Sequence, residues 1–272
     1  MKGNKIEHRG HGGLWLALGL VATVAVLVGL VLGYETLRGL YEEQCVVTDV
    51  AEQVEIVSGK MVKPDVIAEC FGLRRGANLA QIDFAEKREE ILRKIPTLKS
   101  ISVTRRLPDR VVIRSEERTP VVRLGTVGRK TPTGRVADAD GVVFNCARGT
   151  QSLPLVREPR LSATPVGQTL KGRHRAALDL ALACREPAFS SLGVLEIDLS
   201  KQDFLVATLG DYSRAKISWE YMDEATPAAR AALAVRLESL VKAVGSHCDG
   251  LNARIWNATV PDRVFADTQE KL

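Results

Sequence analysis

Aromatic side chains are scarce in this sequence: six Phe, four Tyr and three Trp are scattered over 272 residues. That is too few, and too dispersed, for the stacking platforms on which single-stranded nucleic acids lie. Blocks of one charge sign are also missing. The net charge is +5, and 38 Lys and Arg are interspersed with 33 Asp and Glu, so the basic footprint of a nucleic-acid-binding chain is absent. Five cysteines, Cys45, Cys70, Cys146, Cys184 and Cys248, form no C-x-x-C pair and show no metal-ligand spacing with the four histidines, which excludes a zinc motif and a dense disulfide framework. No G-x-S-x-G, H-E-x-x-H, G-x-x-x-x-G-K-[ST] or S-x-x-K occurs, so the common hydrolase and nucleotide-binding signatures are lacking. The expectation is a protein without catalytic residues, metal, cofactor or small-molecule substrate.

Three short patterns could suggest chemistry, and each has a plainer reading. Asp138-Ala139-Asp140-Gly141 resembles the start of a calcium loop, but Gly149 stands where the bidentate Glu is required, so a turn aspartate is expected. His247 and Cys248 are sequence neighbours whose side chains point apart, and a histidine near a helix C-terminus complements the helix dipole. Asn257-Ala258-Thr259 matches a glycosylation sequon, relevant only in a eukaryotic secretory setting.

What the chain does contain is one long apolar run. Gly13 to Gly33 carries no charge, and about 20 apolar residues span a bilayer core. The run exceeds a signal-peptide core, and Leu32-Gly33-Tyr34-Glu35 offers no small-x-small cleavage site, so an uncleaved anchor is expected. Lys2, Lys5 and Arg9 precede it, whereas Glu35, Arg38, Glu42 and Glu43 follow. That asymmetry places the N-terminus in the cytoplasm and the larger part outside. Ala25, Gly29 and Gly33 form a small-residue stripe, although Gly is common in membrane helices anyway. The composition of the whole chain, 45% hydrophobic and 26% charged, is that of a globular protein.

Beyond the anchor, QVEIVSG alternates as a short strand ended by Gly59. Pro64 opens a helix with Val66, Ile67, Cys70 and Phe71 on one face. Asp83, with Glu86 three residues on, starts a second helix that Pro96 stops. Two strands, around Ile101 and Val103 and around Val111 and Ile113, are joined by the turn Leu107-Pro108-Asp109. The order is βααββ. From Pro120 onward, short β runs (RVADADGVVFN, LGVLEIDLS, FLVATLG, RAKISWEYM and LNARIWNATVPDRVFAD) are interrupted by two helices. The second has Thr226 as cap and Pro227 in its first turn. Continuous strand is expected across Arg118–Leu124, because no Gly/Ser/Pro-rich stretch occurs there.

The segment from Val54 to Leu124 resembles the POTRA domain of the FtsQ/DivIB cell-division family. Carrying residues are Gly76, Asn78-Leu79, Asp83, Pro96, Val103, Arg105, Leu107-Pro108 and the run Glu117-Arg118-Thr119-Pro120-Val121. VADADGVVF from Val136 resembles the family's D-x-x-G hairpin, with Leu153-Pro154 after it. Two departures stand out: Lys63 replaces the usual Ser or Thr helix cap, and Ile255-Trp256-Asn257-Ala258-Thr259 lacks the family's Asp-Leu-Arg.

The resemblance implies an α+β chain with a cytoplasmic tail (1–12), a transmembrane helix (13–33), a POTRA domain (46–118) and an antiparallel β-rich domain with helices (119–267). It implies a single-pass type II protein of the bacterial inner membrane at the division septum, recruiting and linking divisome proteins for septal peptidoglycan synthesis. Expected partner-binding residues are Ser100, Val103 and Arg105 on the second POTRA strand. At the C-terminal edge, Ala258, Thr259, Val260, Val264 and Phe265 would receive a strand from coiled-coil partners of the FtsB/FtsL type. The same residues also fit a plainer role, with Val103, Ile255, Trp256 and Phe265 as core. A POTRA-bearing component of a transport or secretion system is the alternative function; a single POTRA copy speaks against it.

Overall fold

The computed structural model describes residues 12–106, 108–126, 134–146, 148–159, 163–246, 255–260 and 263–267. The chain packs as two compact units. The first takes the residues up to Val57, Asp65–Ala85 and Ser102–Arg114; the second takes Ser58–Pro64, Glu86–Ile101 and the chain from Ser115 on.

Helix α1 (Gly12–Gln44) is 33 residues long and apolar enough to cross a membrane. Leu27, Leu30 and Leu32 are exposed on it, a surface that water does not tolerate at this extent. The helix runs 11 residues past the expected span end at Gly33. Residues 34–44 support it locally: Arg38 pairs with Glu42 one turn on at 2.8 Å, and the Thr36 hydroxyl donates back to the Gly33 carbonyl at 2.9 Å. Its end is tied to the turn at 76–79. The Asn78 side-chain amide donates to the Glu42 carbonyl, and Val47 N–H donates to Ala77 O. Leu79 N–H in turn donates to Cys45 O, so orphan carbonyls of the last turn find partners.

The predicted βααββ order is present, with a one-turn helix α2 (Val50–Gln53) ahead of it. It comprises β1 (Val54–Val57), α3 (Pro64–Phe71), α4 (Phe84–Lys94), β2 (Leu98–Arg106) and β3 (Arg110–Glu117). The three strands form a sheet in the order β1-β3-β2, with β1 and β3 parallel. Asp83 caps α4 by accepting from Ala85 N–H at 2.9 Å. Phe71 of α3 packs against Phe84 of α4, ring centroids 5.7 Å apart. Ahead of α3, where Lys63 cannot cap, the Glu117 carboxylate accepts three backbone N–H bonds, from Lys60, Met61 and Val62, at 2.7–2.9 Å. Gly59 makes room for it, since a Cβ there would lie 2.1 Å from the carboxylate.

Strand does not run continuously through Arg118–Leu124. β3 ends at Glu117, and β4 (Val122–Thr126) belongs to a different sheet. Pro120 has no N–H to give a ladder. At this break Arg118 donates to Pro96 O at 3.1 Å and pairs with Asp138 at 2.6 Å. Asp138 is the expected turn aspartate. Its other oxygen accepts from Val142 N–H at 2.8 Å, and Gly141 sits at φ +86°, where a side chain would be strained.

The nine-stranded sheet adds β5 (Arg135–Ala137), β6 (Val143–Asn145), β7 (Leu155–Glu158), β8 (Glu196–Asp198), β9 (Leu205–Thr208), β10 (Arg214–Ile217), β11 (Ile255–Ala258) and β12 (Phe265–Asp267). The order is β12-β11-β10-β9-β8-β7-β4-β5-β6. It is mixed rather than antiparallel throughout: β4–β7, β7–β8 and β10–β11 pair in parallel. For β7–β8 and β10–β11 the cause lies in the connections, because α5 (Gly172–Ala183) stands between β7 and β8 and α6 (Pro227–Ser246) between β10 and β11, and a helical crossover returns the chain in the same direction. β7 pairs with β4 after the antiparallel β5–β6 hairpin. One sheet face carries the core: Val122, Leu124, Val156, Ile197, Leu205, Ala207, Ala215, Ile217 and Trp256 pack with Leu178, Leu180, Leu233, Leu237 and Leu240 of the helices. Cys45, Cys70, Cys146 and Cys184 are free thiols. Burial pushes the Cys184 thiol up to about 12, so it stays protonated and unreactive.

Candidate partner-binding surfaces

The predicted residues lie on the edge strand β2 and around the β11–β12 end of the large sheet. Alternation along β2 puts Ile101, Val103 and Arg105 on one face and Ser100 with Ser102 on the other, so Ser100 does not share the surface expected for it. Its hydroxyl faces Glu116 of β3 at 3.0 Å. Val103 is half-buried. Arg105, though exposed, is not idle: it donates to the Ile82 carbonyl at 2.7 Å, and its guanidinium lies 4.7 Å from the centroid of the Phe84 ring. Those contacts fasten the strand to the start of α4, and a cation over an aromatic face adds to them. β2 is an edge strand of its sheet.

At the C-terminal end, β11 is paired on both sides, parallel to β10 and antiparallel to β12. The edge at this end of the sheet is therefore β12, and of the five residues expected at the C-terminal edge it carries Phe265. Ile255, Trp256 and Ala258 are buried, so Ala258 presents no side chain to a partner, and the Trp256 indole N–H donates to Ser213 at 3.2 Å. Thr259 is half-buried in the turn after β11, and Val264 packs against the core. Val260 and Phe265 are exposed, at 42% and 49%.

Cross-strand register lines Phe265 up with Asn257, Lys216, Val206, Asp198 and Arg157 in one row across the sheet. That row lies on the face away from α5 and α6, because its residues alternate with the core residues Trp256, Ile217, Leu205 and Ile197. The opposite edge, β6, is covered: Val143 N–H donates to Gln168 O, and Gly167 N–H donates to Val143 O. Among the described residues no segment covers the outer side of β12 in the same way, which leaves backbone N–H and C=O groups ready for another strand.

Two residues outside the predicted set shape this end of the sheet. Ser218, just past β10, donates to Thr259 O at 3.3 Å, and Arg236 of α6 donates to Val260 O. The trace of the second in the sequence is a charge at a helix position whose spacing from Leu233 and Leu240 calls for an apolar side chain. His247 and Cys248 lie outside the described residues, as does Leu107. Among the described residues no cluster of three or more His, Cys, Asp or Glu could hold a metal ion.

Residues 51–118 match the family model of the FtsQ-type POTRA domain. Two curated relatives are each named cell division protein FtsQ. That of Corynebacterium glutamicum is 25% identical over 118 residues, 43% of this chain and 50% of the relative. That of Streptomyces collinus is 25% identical over 217 residues, 77% of this chain and 75% of the relative. By these matches the chain is similar to proteins of the FtsQ/DivIB family, and residues 51–118 form an FtsQ-type POTRA domain. β2 lies within the matched POTRA segment, and β12 lies at one end of the second sheet. The match spans half the length of the Corynebacterium relative.

Proposed function

We propose that this protein is a non-catalytic, single-pass scaffold of the division machinery. Residues 1–12 are its cytoplasmic tail and 13–33 its span in the inner membrane. A POTRA domain (46–118) and a β domain (119–267) lie outside, at the septum. There it recruits and links divisome proteins for septal peptidoglycan synthesis. The β2 edge with Val103 serves recruitment, and β12 accepts a strand from a coiled-coil partner of the FtsB/FtsL type.

The observation that carries this reading is the asymmetry of the large sheet among the described residues, covered at β6 and uncovered at β12. An open edge gives main-chain hydrogen bonds for affinity, and exposed side chains at every second position, Phe265 among them, give selectivity. The anchor confines both partners to one membrane plane and raises their effective concentration. The test follows from β11 being an interior strand. Ending the chain at Val260 removes β12 and leaves β11 on β10. The truncated protein is expected to insert in the membrane and reach midcell, but to lose co-purification of the coiled-coil partner. Retention of that partner at the full-length level defeats the edge assignment.

A further inference from the structure

Arg236 occupies a core position with a charged side chain. On α6 the residues Ala229, Leu233, Leu237 and Leu240 form the buried stripe, and Arg236 lies within it at 8% exposure. A guanidinium taken out of water is unfavourable unless it is hydrogen-bonded, so what the arginine bonds to decides its role. It donates to the Val260 carbonyl, in the turn that leads from β11 to β12. The same turn is gripped from two other directions. Asn257 Oδ1 accepts from the N–H of Thr259 at 3.2 Å and from its hydroxyl at 2.7 Å, and Ser218 donates to the Thr259 carbonyl at 3.3 Å.

β12 itself is short, with three residues paired to β11. A ribbon of that length does not hold its own position in water. Its register depends on where the preceding turn is placed, and α6 is the rigid element that places it. We infer that Arg236 is a positioning residue for the partner-accepting edge: from the buried face of α6 it fixes the β11–β12 turn through the Val260 carbonyl, without touching the partner. This rests on the reading of β12 as that edge.

The experiment uses the full-length protein in nanodiscs. Hydrogen exchange reads the amides that bond β11 and β12 to each other, and co-purification of the coiled-coil division partner from the same cells is measured in parallel. Arg236→Met keeps length and bulk while removing the donor. It is expected to leave α6 and β10 amides protected, to speed exchange at the amides bonded between β11 and β12 about tenfold or more, and to lower partner recovery by a similar factor. Arg236→Lys, which keeps a donor, is expected to restore most of both. If Arg236→Met does not fold, Arg236→Gln is read in the same way.

Unchanged exchange at the amides bonded between β11 and β12 in the Met or Gln variant overturns the inference. Full partner recovery by that variant, alongside loss in the chain ended at Val260, overturns the role of Arg236 alone. Full recovery by both overturns the edge reading together with it.

Discussion

Glu117 shows how much a single carboxylate does at the residue scale. It gathers three backbone N–H groups of the loop before α3, in place of the cap that Lys63 cannot supply. Hydrogen bonds to a charged acceptor are worth about 1.5–3 kcal/mol each when measured singly and do not add fully, so Glu117→Ala is expected to destabilise the protein by about 2–3 kcal/mol in a denaturant titration. Gly59→Ala should have a similar effect, because its methyl group would enter the space of the Glu117 carboxylate. His174 makes a second residue-scale prediction. Burial holds its imidazole below the ordinary 6.5, and this outweighs the opposite pull of Glu158, whose carboxylate lies 3.5 Å away and is itself bound by Arg135 at 2.7 Å. The folded state therefore binds its proton later than the unfolded chain as pH falls. Stability from this group is fully present above pH 6.5 and is lost as pH drops from there through the lower, folded value. His174→Gln should flatten the pH dependence of the unfolding midpoint in that acid range while changing little at pH 8.

Legibility at the scale of elements followed the range of the forces involved. The anchor, α3, α4, β2 and β3 could be read directly, since each is announced by signals within a few residues: an uncharged run, Pro64 in a first turn, Asp83 as a cap, Pro96 as a stop. The extension of α1 to Gln44 was not visible in the apolar run, because it depends on Arg38 and Glu42 one turn apart and on Asn78 receiving the helix end. The parallel pairings of β4, β7 and β8 were also hidden. Nothing in LVRE says which strand it will lie beside; its pairing with β8 comes through α5 packing back across the sheet, and its pairing with β4 comes after the chain has passed out through the β5–β6 hairpin. The candidate site divides in the same way. That the last strand region would contain an edge was readable from its position, whereas the burial of Ala258 and the grip of Ser218 and Arg236 on the turn depend on chain segments 41 and 24 residues away. Arg105 also took on a part that strand alternation could not reveal, because its partners Ile82 and Phe84 belong to the start of a different element.

For the molecule as a whole, charge placement around α1 predicts an orientation: with Lys2, Lys5 and Arg9 ahead of the span, a periplasm-active reporter fused after Leu272 is expected to be active and a cytoplasm-active reporter at Met1 likewise. Silence of both reporters would reverse the assignment. The tie between α1 and the turn at 76–79 then has a mechanical meaning. The 33-residue helix is about 50 Å long, of which a bilayer core takes about 30 Å. Roughly 20 Å emerges as a stiff shaft, keyed at its tip by the Glu42–Asn78 and Cys45–Leu79 bonds instead of ending in a swivel. Each residue of an α-helix is offset from the next by about 100° around the axis, so inserting a single alanine between Gly33 and Glu42 would turn everything beyond it by that angle relative to the face the helix shows its neighbours in the membrane. Torque applied to the span by a neighbouring helix thus arrives, undiminished by slack, at the turn that begins at Gly76.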